Sequence, residues 1–208
     1  RFQGEDRRTL RYDRGEGSLM KKLLIVFLLL VSLCGCDKKE EVPTVNYTYE
    51  IVSDKVDMSG YAGVSSTDHP FRIIKCQELF NTIDKESSGI FYLGRDNCNC
   101  CQKVCRYLSE VGKELGVTIY YIDVYNTDDT LTEKETQDKL FNYMYEILGH
   151  DDEGNKTLLT PQVFSVVNGK FYGSQICFDN YKLDDVPSTS QVEKFKDSYR
   201  KIMKPFTE

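Results

Sequence analysis

The apolar positions along the chain change spacing several times, and each change predicts an element. Leu23–Leu33 is an unbroken apolar run of eleven residues, too short for the roughly 20 residues that cross a bilayer. Residues 37–46 are polar. Tyr47–Val56 alternates weakly, as an edge strand would, and residues 57–69 carry the Gly, Ser and Asp of a loop. Ile73, Ile74, Leu79, Phe80 and Ile83 predict an amphipathic helix ending near Glu86, broken by Ser87, Ser88 and Gly89. Ile90–Leu93 is a short apolar run between glycines and reads as a buried central strand. Val104, Leu108, Val111 and Leu115 share one helical face, stopped by Gly116. Val117–Val124 is rich in β-branched and aromatic residues, so it reads as a strand. Thr132 and Glu135 form a capping box ahead of a stripe of Leu140, Phe141, Met144, Ile147 and Leu148, closed by Gly149. Residues 150–158 are polar and read as a loop. Gln162–Val167 and Lys170–Cys177 flank Asn168-Gly169, a strong hairpin signal. Ser190 with Glu193 is a second capping box, opening a last helix on Val192, Phe195, Tyr199 and Ile202.

The predicted order is helix, strand, helix, strand, helix, strand, strand, helix. Strands that alternate with helices run parallel, and the last two form an antiparallel hairpin. The fold class is therefore α/β, with a central mixed sheet flanked by helices.

Charge narrows the function. A net charge of −6 without a Lys/Arg run beyond the first 22 residues argues against nucleic acid as a partner, because phosphates need a basic face. Eight cysteines signify metal or catalytic chemistry in a cytosolic protein, and structural disulfides as well in an exported one.

The amino-terminal region speaks to compartment. Met20-Lys21-Lys22, the apolar run and an abrupt switch to Asp37-Lys38-Lys39 have the layout of a signal peptide. Leu33-Cys34-Gly35-Cys36 resembles the bacterial lipobox, which implies lipid on Cys36; Cys34 fits less well because it follows the bulky Leu33. The expected organisation is an upstream extension at 1–19 that is not part of the native protein and a lipoprotein signal peptide at 20–35. A lipidated Cys36 with its tether and an amino-terminal extension follows at 36–69, and the folded domain at 70–208. The expected location is the extracytoplasmic face of the cell membrane, with the bilayer as a partner through Cys36.

Cys98-Asn99-Cys100-Cys101 lies between the buried strand and the following helix. Cys98 falls at the helix mouth, where unsatisfied N–H groups and the helix dipole favour an anion. Cys101 lies three residues before Val104, on the apolar stripe. A thiolate at Cys98 would attack a disulfide, and Cys101 would resolve the mixed disulfide. Thr160-Pro161 stands directly before the hairpin and serves equally well as a simple strand start.

Phe91–Cys101, Thr160–Phe164 and Asn168-Gly169-Lys170 together resemble the thioredoxin superfamily. Within it they are most similar to the bacteriocin transport accessory proteins, over about residues 70–180. The resemblance implies a thioredoxin-like fold, a cis Pro161 against the cysteine pair, and a substrate strand held by Thr160 and Pro161. It implies thiol–disulfide exchange on exported proteins or peptides, a membrane redox partner, and no cofactor beyond a redox-active disulfide. The buried acid of thioredoxin, six residues before its first cysteine, falls here on Tyr92, and Trp is absent.

Two other readings stand beside this one. Cys98, Cys100, Cys101 and Cys105 could bind Zn²⁺ or Cu(I), although adjacent Cys100 and Cys101 point about 100° apart on a helix. The fold could also be a redox-inactive binding module. Cys100 and Cys105 are accessory thiols whose pairing with each other, or of Cys105 with Cys101, would tune the centre. Cys76 and Cys177 are either small buried hydrophobes or a disulfide. His69 and His150 read as solvated loop residues.

Overall fold

The computed structural model describes residues 47–53, 56–124, 133–177 and 186–207. The signal-peptide run, Cys36, the tether through residue 46 and the Thr132 cap lie outside the described residues. Among those described, no helix is long and apolar enough to cross a membrane.

The chain builds β1 (Ile51–Ser53), β2 (Phe71–Ile74), α1 (Cys76–Asp84), β3 (Gly89–Gly94), α2 (Asn99–Leu115) and β4 (Ile119–Asp123). It continues with α3 (Glu133–Tyr143), the short β5 (Gly149–His150) and β6 (Lys156–Thr157), then β7 (Gln162–Val167), β8 (Lys170–Gln175) and α4 (Thr189–Met203). Six strands form one sheet in the order β1-β2-β4-β3-β7-β8. β2 and β3 run parallel to β4, whereas β1, β7 and β8 enter antiparallel to their neighbours. This is the expected thioredoxin-like α/β fold, a parallel centre joined to a carboxy-terminal hairpin.

Helices cover both faces of the sheet, so all six residues of β3 are buried, as the unbroken apolar run requires. One face packs Val104, Leu108 and Val111 of α2 with Phe195, Tyr199 and Ile202 of α4 against Ile90 and Tyr92. The other packs Leu79 and Phe80 of α1 and Leu140 of α3 against Phe91 and Leu93. Gly116 ends α2 in the left-handed conformation, φ 66°, with its N–H returned to the Gly112 and Lys113 carbonyls. The hairpin turn has positive φ at both Asn168 (50°) and Gly169 (74°), the type I′ geometry that Asn-Gly favours.

The structure corrects three local readings. Phe71–Ile74 is a strand, not the first turn of a helix; α1 begins only at Cys76, after the extended Lys75. The apolar pairs on either side of Lys75 merge into one stripe in the sequence, which hides the break. Helix α4 is capped at Ser188, with Gln191 completing the capping box, two residues ahead of Ser190. Gly149 and part of the polar stretch 150–158 form the small β5–β6 ladder, so Gly149 is a strand residue and not a helix stop. The 57–69 segment has no regular element, but Met58 and Tyr61 are buried in the core beneath α2.

Candidate functional site

Strand β3 delivers the chain to the carboxy-terminal edge of the sheet, and four residues later Cys98 becomes the N-cap of α2. Its backbone is extended (φ −97°, ψ 114°), and its sulfur accepts the N–H of Cys101 at 3.2 Å. A cap normally supplies an oxygen to this orphan donor; here the acceptor is sulfur. Cys101, one turn on, is fully buried in the core beside Val104 and Cys105, whereas Cys98 keeps part of its surface open.

Across from Cys98 stands the start of β7. The Thr160–Pro161 peptide bond is cis, as the resemblance implies. Pro161 is buried. The Thr160 hydroxyl donates to the Cys98 sulfur at 3.9 Å, and the Thr160 carbonyl, 3.5 Å away, accepts the Cys98 S–H when the thiol is protonated. Cys98, Cys101, Thr160 and Pro161 are thus brought together from positions 62 residues apart in sequence.

The electrostatics of the two thiols diverge. The Cys98 pKa is lowered from its ordinary value near 9 to about 5. The Cys101 side chain is the main cause, followed by the Cys101 N–H, the Thr160 hydroxyl and the Cys100 amide, against an opposing effect of burial. Cys101 is pushed strongly upward, first because its proton is held by Cys98 and then by burial; the Arg95 backbone and the Tyr92 side chain act in the other direction. Near neutral pH the pair therefore holds one proton, on Cys101, and one negative charge, on Cys98.

The remaining cysteines go separate ways. Cys100, turned off the apolar stripe of α2, is joined by a disulfide to Cys177, with their Cα atoms 6.3 Å apart. This corrects the sequence-level pairings of Cys177 with Cys76 and of Cys105 with Cys100 or Cys101. Cys76 is buried in the core on the opposite face of the sheet, while Cys177 packs on the face of α2. Cys105 is a fully buried free thiol whose pKa is raised by desolvation. The four clustered cysteines do not converge, and among the described residues no three His, Cys, Asp or Glu side chains are gathered for a metal ion. His69 bridges the Val56 carbonyl and the Phe71 amide, so it braces the 56–71 segment.

Beneath Cys101 lies a group of tyrosines that periodicity does not reveal. Tyr61 and Tyr121 share a hydrogen bond at 3.1 Å. The hydroxyls of Tyr92 and Tyr199, both fully buried, lack a well-formed hydrogen bond. That of Tyr92 turns toward the thiols of Cys101 and Cys105 and works to lower the pKa of each. A polar tip on an otherwise apolar strand position is the signal that could have pointed to it.

Neither a protein-family model nor a curated protein sequence matches this chain. Solved structures similar to it include thioredoxin O2 from Arabidopsis thaliana in the oxidised state, at 15% identity, covering 67% of this chain and 96% of that one, with a TM-score of 0.38. Thioredoxin from Trypanosoma brucei brucei gives 12% identity, 68% and 97% coverage, and 0.40. Thioredoxin from Fasciola hepatica gives 13% identity, 62% and 94% coverage, and 0.37. The fold assignment above rests on strand order and direction.

Proposed function

We propose that this chain is a thiol–disulfide oxidoreductase acting on exported proteins or peptides from a lipid anchor at the outer face of the cell membrane. The observation that carries the chemistry is the Cys98 sulfur at the mouth of α2, held by the Cys101 thiol, the Cys101 amide and the Thr160 hydroxyl. An anion so placed is the nucleophile of disulfide exchange.

The Cys98 thiolate attacks one sulfur of a substrate disulfide, forming a mixed disulfide and expelling the other sulfur as a thiolate. Cys101 then gives up its proton and attacks Cys98, closing the Cys98–Cys101 disulfide and releasing the second substrate thiol. The substrate gains two electrons and the protein loses them; run backwards, the same steps oxidise a dithiol. Thr160 contacts the sulfur, and an extended substrate segment would lie along Thr160 and the neighbouring Pro161. No organic cofactor is required, because the electrons pass between cysteines. A membrane redox partner resets the pair.

The anchor reading is supported by the Leu33–Cys36 segment and the short apolar run before it. Exported peptides as substrates follow from the similarity of residues 91–101 to the bacteriocin transport accessory proteins.

The test is a thiol titration of the purified full chain across glutathione redox buffers, read by alkylation and peptide mapping, with metal content measured in parallel. A reversible Cys98–Cys101 disulfide in metal-free protein supports the reading. Stoichiometric metal that protects the clustered thiols, with no reversible pair, would replace it with a metal-binding lipoprotein.

A further inference from the structure

Cys100 occupies the interior of the Cys98–Cys101 segment, and its side chain is already oxidised onto Cys177. A disulfide placed only for rigidity would be expected away from a reactive thiolate. This one shares the first turn of α2 with Cys98 and is partly exposed at both ends. Its two halves join α2 to the segment that leaves β8, where the Gln175 amide binds the carbonyls of Ile176 and Cys177 at 3.2 and 3.3 Å.

Distance can be bounded. The Cys100 amide is among the groups that act on the Cys98 sulfur. Cys98 caps α2 and Cys100 lies two residues on, in its first turn, so their Cα atoms are at most about 7 Å apart. Each change of rotamer at a cysteine moves its sulfur by about 3 Å. Cys76, Cys101 and Cys105 are fully buried, so among the described free cysteines Cys98 is the one that, like both ends of the bridge, is partly exposed.

We propose that the Cys100–Cys177 disulfide is a second redox site, exchanging electrons with the Cys98–Cys101 pair inside one molecule. The inference rests on the exchange chemistry proposed above. The Cys98 thiolate attacks Sγ of Cys177, forming a Cys98–Cys177 disulfide and expelling Cys100 as a thiolate at the helix mouth, where an anion is favoured. Cys101 then attacks Cys98 and expels Cys177, its one proton passing to one of the two freed thiolates. The Cys98–Cys101 disulfide closes, and Cys100 and Cys177 are left reduced. One disulfide breaks and one forms, so no outside oxidant enters. The chain becomes a relay of two couples. The Cys98 pair faces the substrate, and the Cys100 pair passes electrons to or from a second dithiol or disulfide protein that need not reach Cys98.

The experiment uses the purified full chain carrying the Cys100–Cys177 bridge, exposed to reduced glutathione, acid-quenched, alkylated and peptide-mapped. The bridge should open at least tenfold more slowly in Cys98→Ser than in the unaltered chain. In Cys101→Ser, a Cys98–Cys177 cross-link should accumulate with Cys100 free to alkylate. In the unaltered chain, which needs no variant, the molecules holding one disulfide should divide between the two pairings in the same ratio from either the reduced or the oxidised side. A bridge that stays intact in every buffer where Cys98–Cys101 cycles, with no cross-link in Cys101→Ser, would overturn the relay and leave the exchange reading standing. Loss of a reversible Cys98–Cys101 disulfide in a Cys100→Ser, Cys177→Ser double variant would instead sink the exchange reading itself.

Discussion

Replacing Cys101 with Ala isolates what holds the negative charge on Cys98. The substitution removes the thiol that is the largest cause of the lowered pKa but keeps the backbone N–H, which bonds to the sulfur at 3.2 Å. A hydrogen bond to an ionised group is worth about 1.5–3 kcal/mol. Cys98 is partly open to water, so solvent screening reduces that figure. At about 1.36 kcal/mol per pH unit, the expected rise is about 1–2 units, from about 5 to between roughly 6 and 7. The assay is the rate of Cys98 alkylation by iodoacetamide against pH, read on the Cys98 peptide. The unaltered, dithiol form should reach its plateau by about pH 6. At pH 5 the variant should react roughly ten to a hundred times more slowly than at its own plateau. A variant midpoint equal to the unaltered one would assign the charge to the helix end and Thr160 alone, and a midpoint above about 8 in the unaltered chain would refute the arrangement. The sign of the stability effect follows. Cys98 is an acid whose folded pKa lies below its ordinary value. The stability it gives the reduced protein is therefore complete above about pH 9 and is lost progressively as pH falls toward 5.

Two further predictions concern the packing under the site. Tyr92→Phe removes a buried hydroxyl that has no well-formed partner, and such a group costs about 1–3 kcal/mol; urea unfolding should show a gain of about 1 kcal/mol, and an equal loss would show that the hydroxyl is well bonded to sulfur. Gly94→Ala places a Cβ directly against the Tyr92 ring and hydroxyl and should cost about 1–3 kcal/mol by overpacking, with most of it recovered in Gly94→Ala, Tyr92→Leu; no recovery would place the clash elsewhere.

Much of this was legible in the sequence where one physical signal dominated. The β3 run has no polar interruption from Ile90 to Leu93, so only burial on both faces fits it. The α2 stripe and Gly116 mark both the face and the end of that helix, and Asn168-Gly169 supplies the two positive φ values its turn requires. Signals that overlap were misread. Phe71–Ile74 and α1 are separated by a single residue, and four residues are too few for period 2 to show against period 3.6. Ser188 and Ser190 each head a capping-box pattern, and local sequence does not choose between them. The cis bond at Pro161 came from family resemblance, since most X-Pro bonds are trans. The Cys100–Cys177 pairing was not legible at all, because 77 residues separate the partners and spacing carries no record of which Cα atoms approach within disulfide reach.

That same bridge turns the middle of the chain into a covalent ring. It encloses α2, β4, α3, β5, β6, β7 and β8, and leaves α4 outside. A protease that cuts once between Cys100 and Cys177 therefore opens a loop without releasing a piece: the two products stay attached through sulfur and migrate together until a reductant separates them. Resistance of a nicked chain to falling apart then becomes a gel-visible record of its oxidation state, written by the backbone rather than by any reagent.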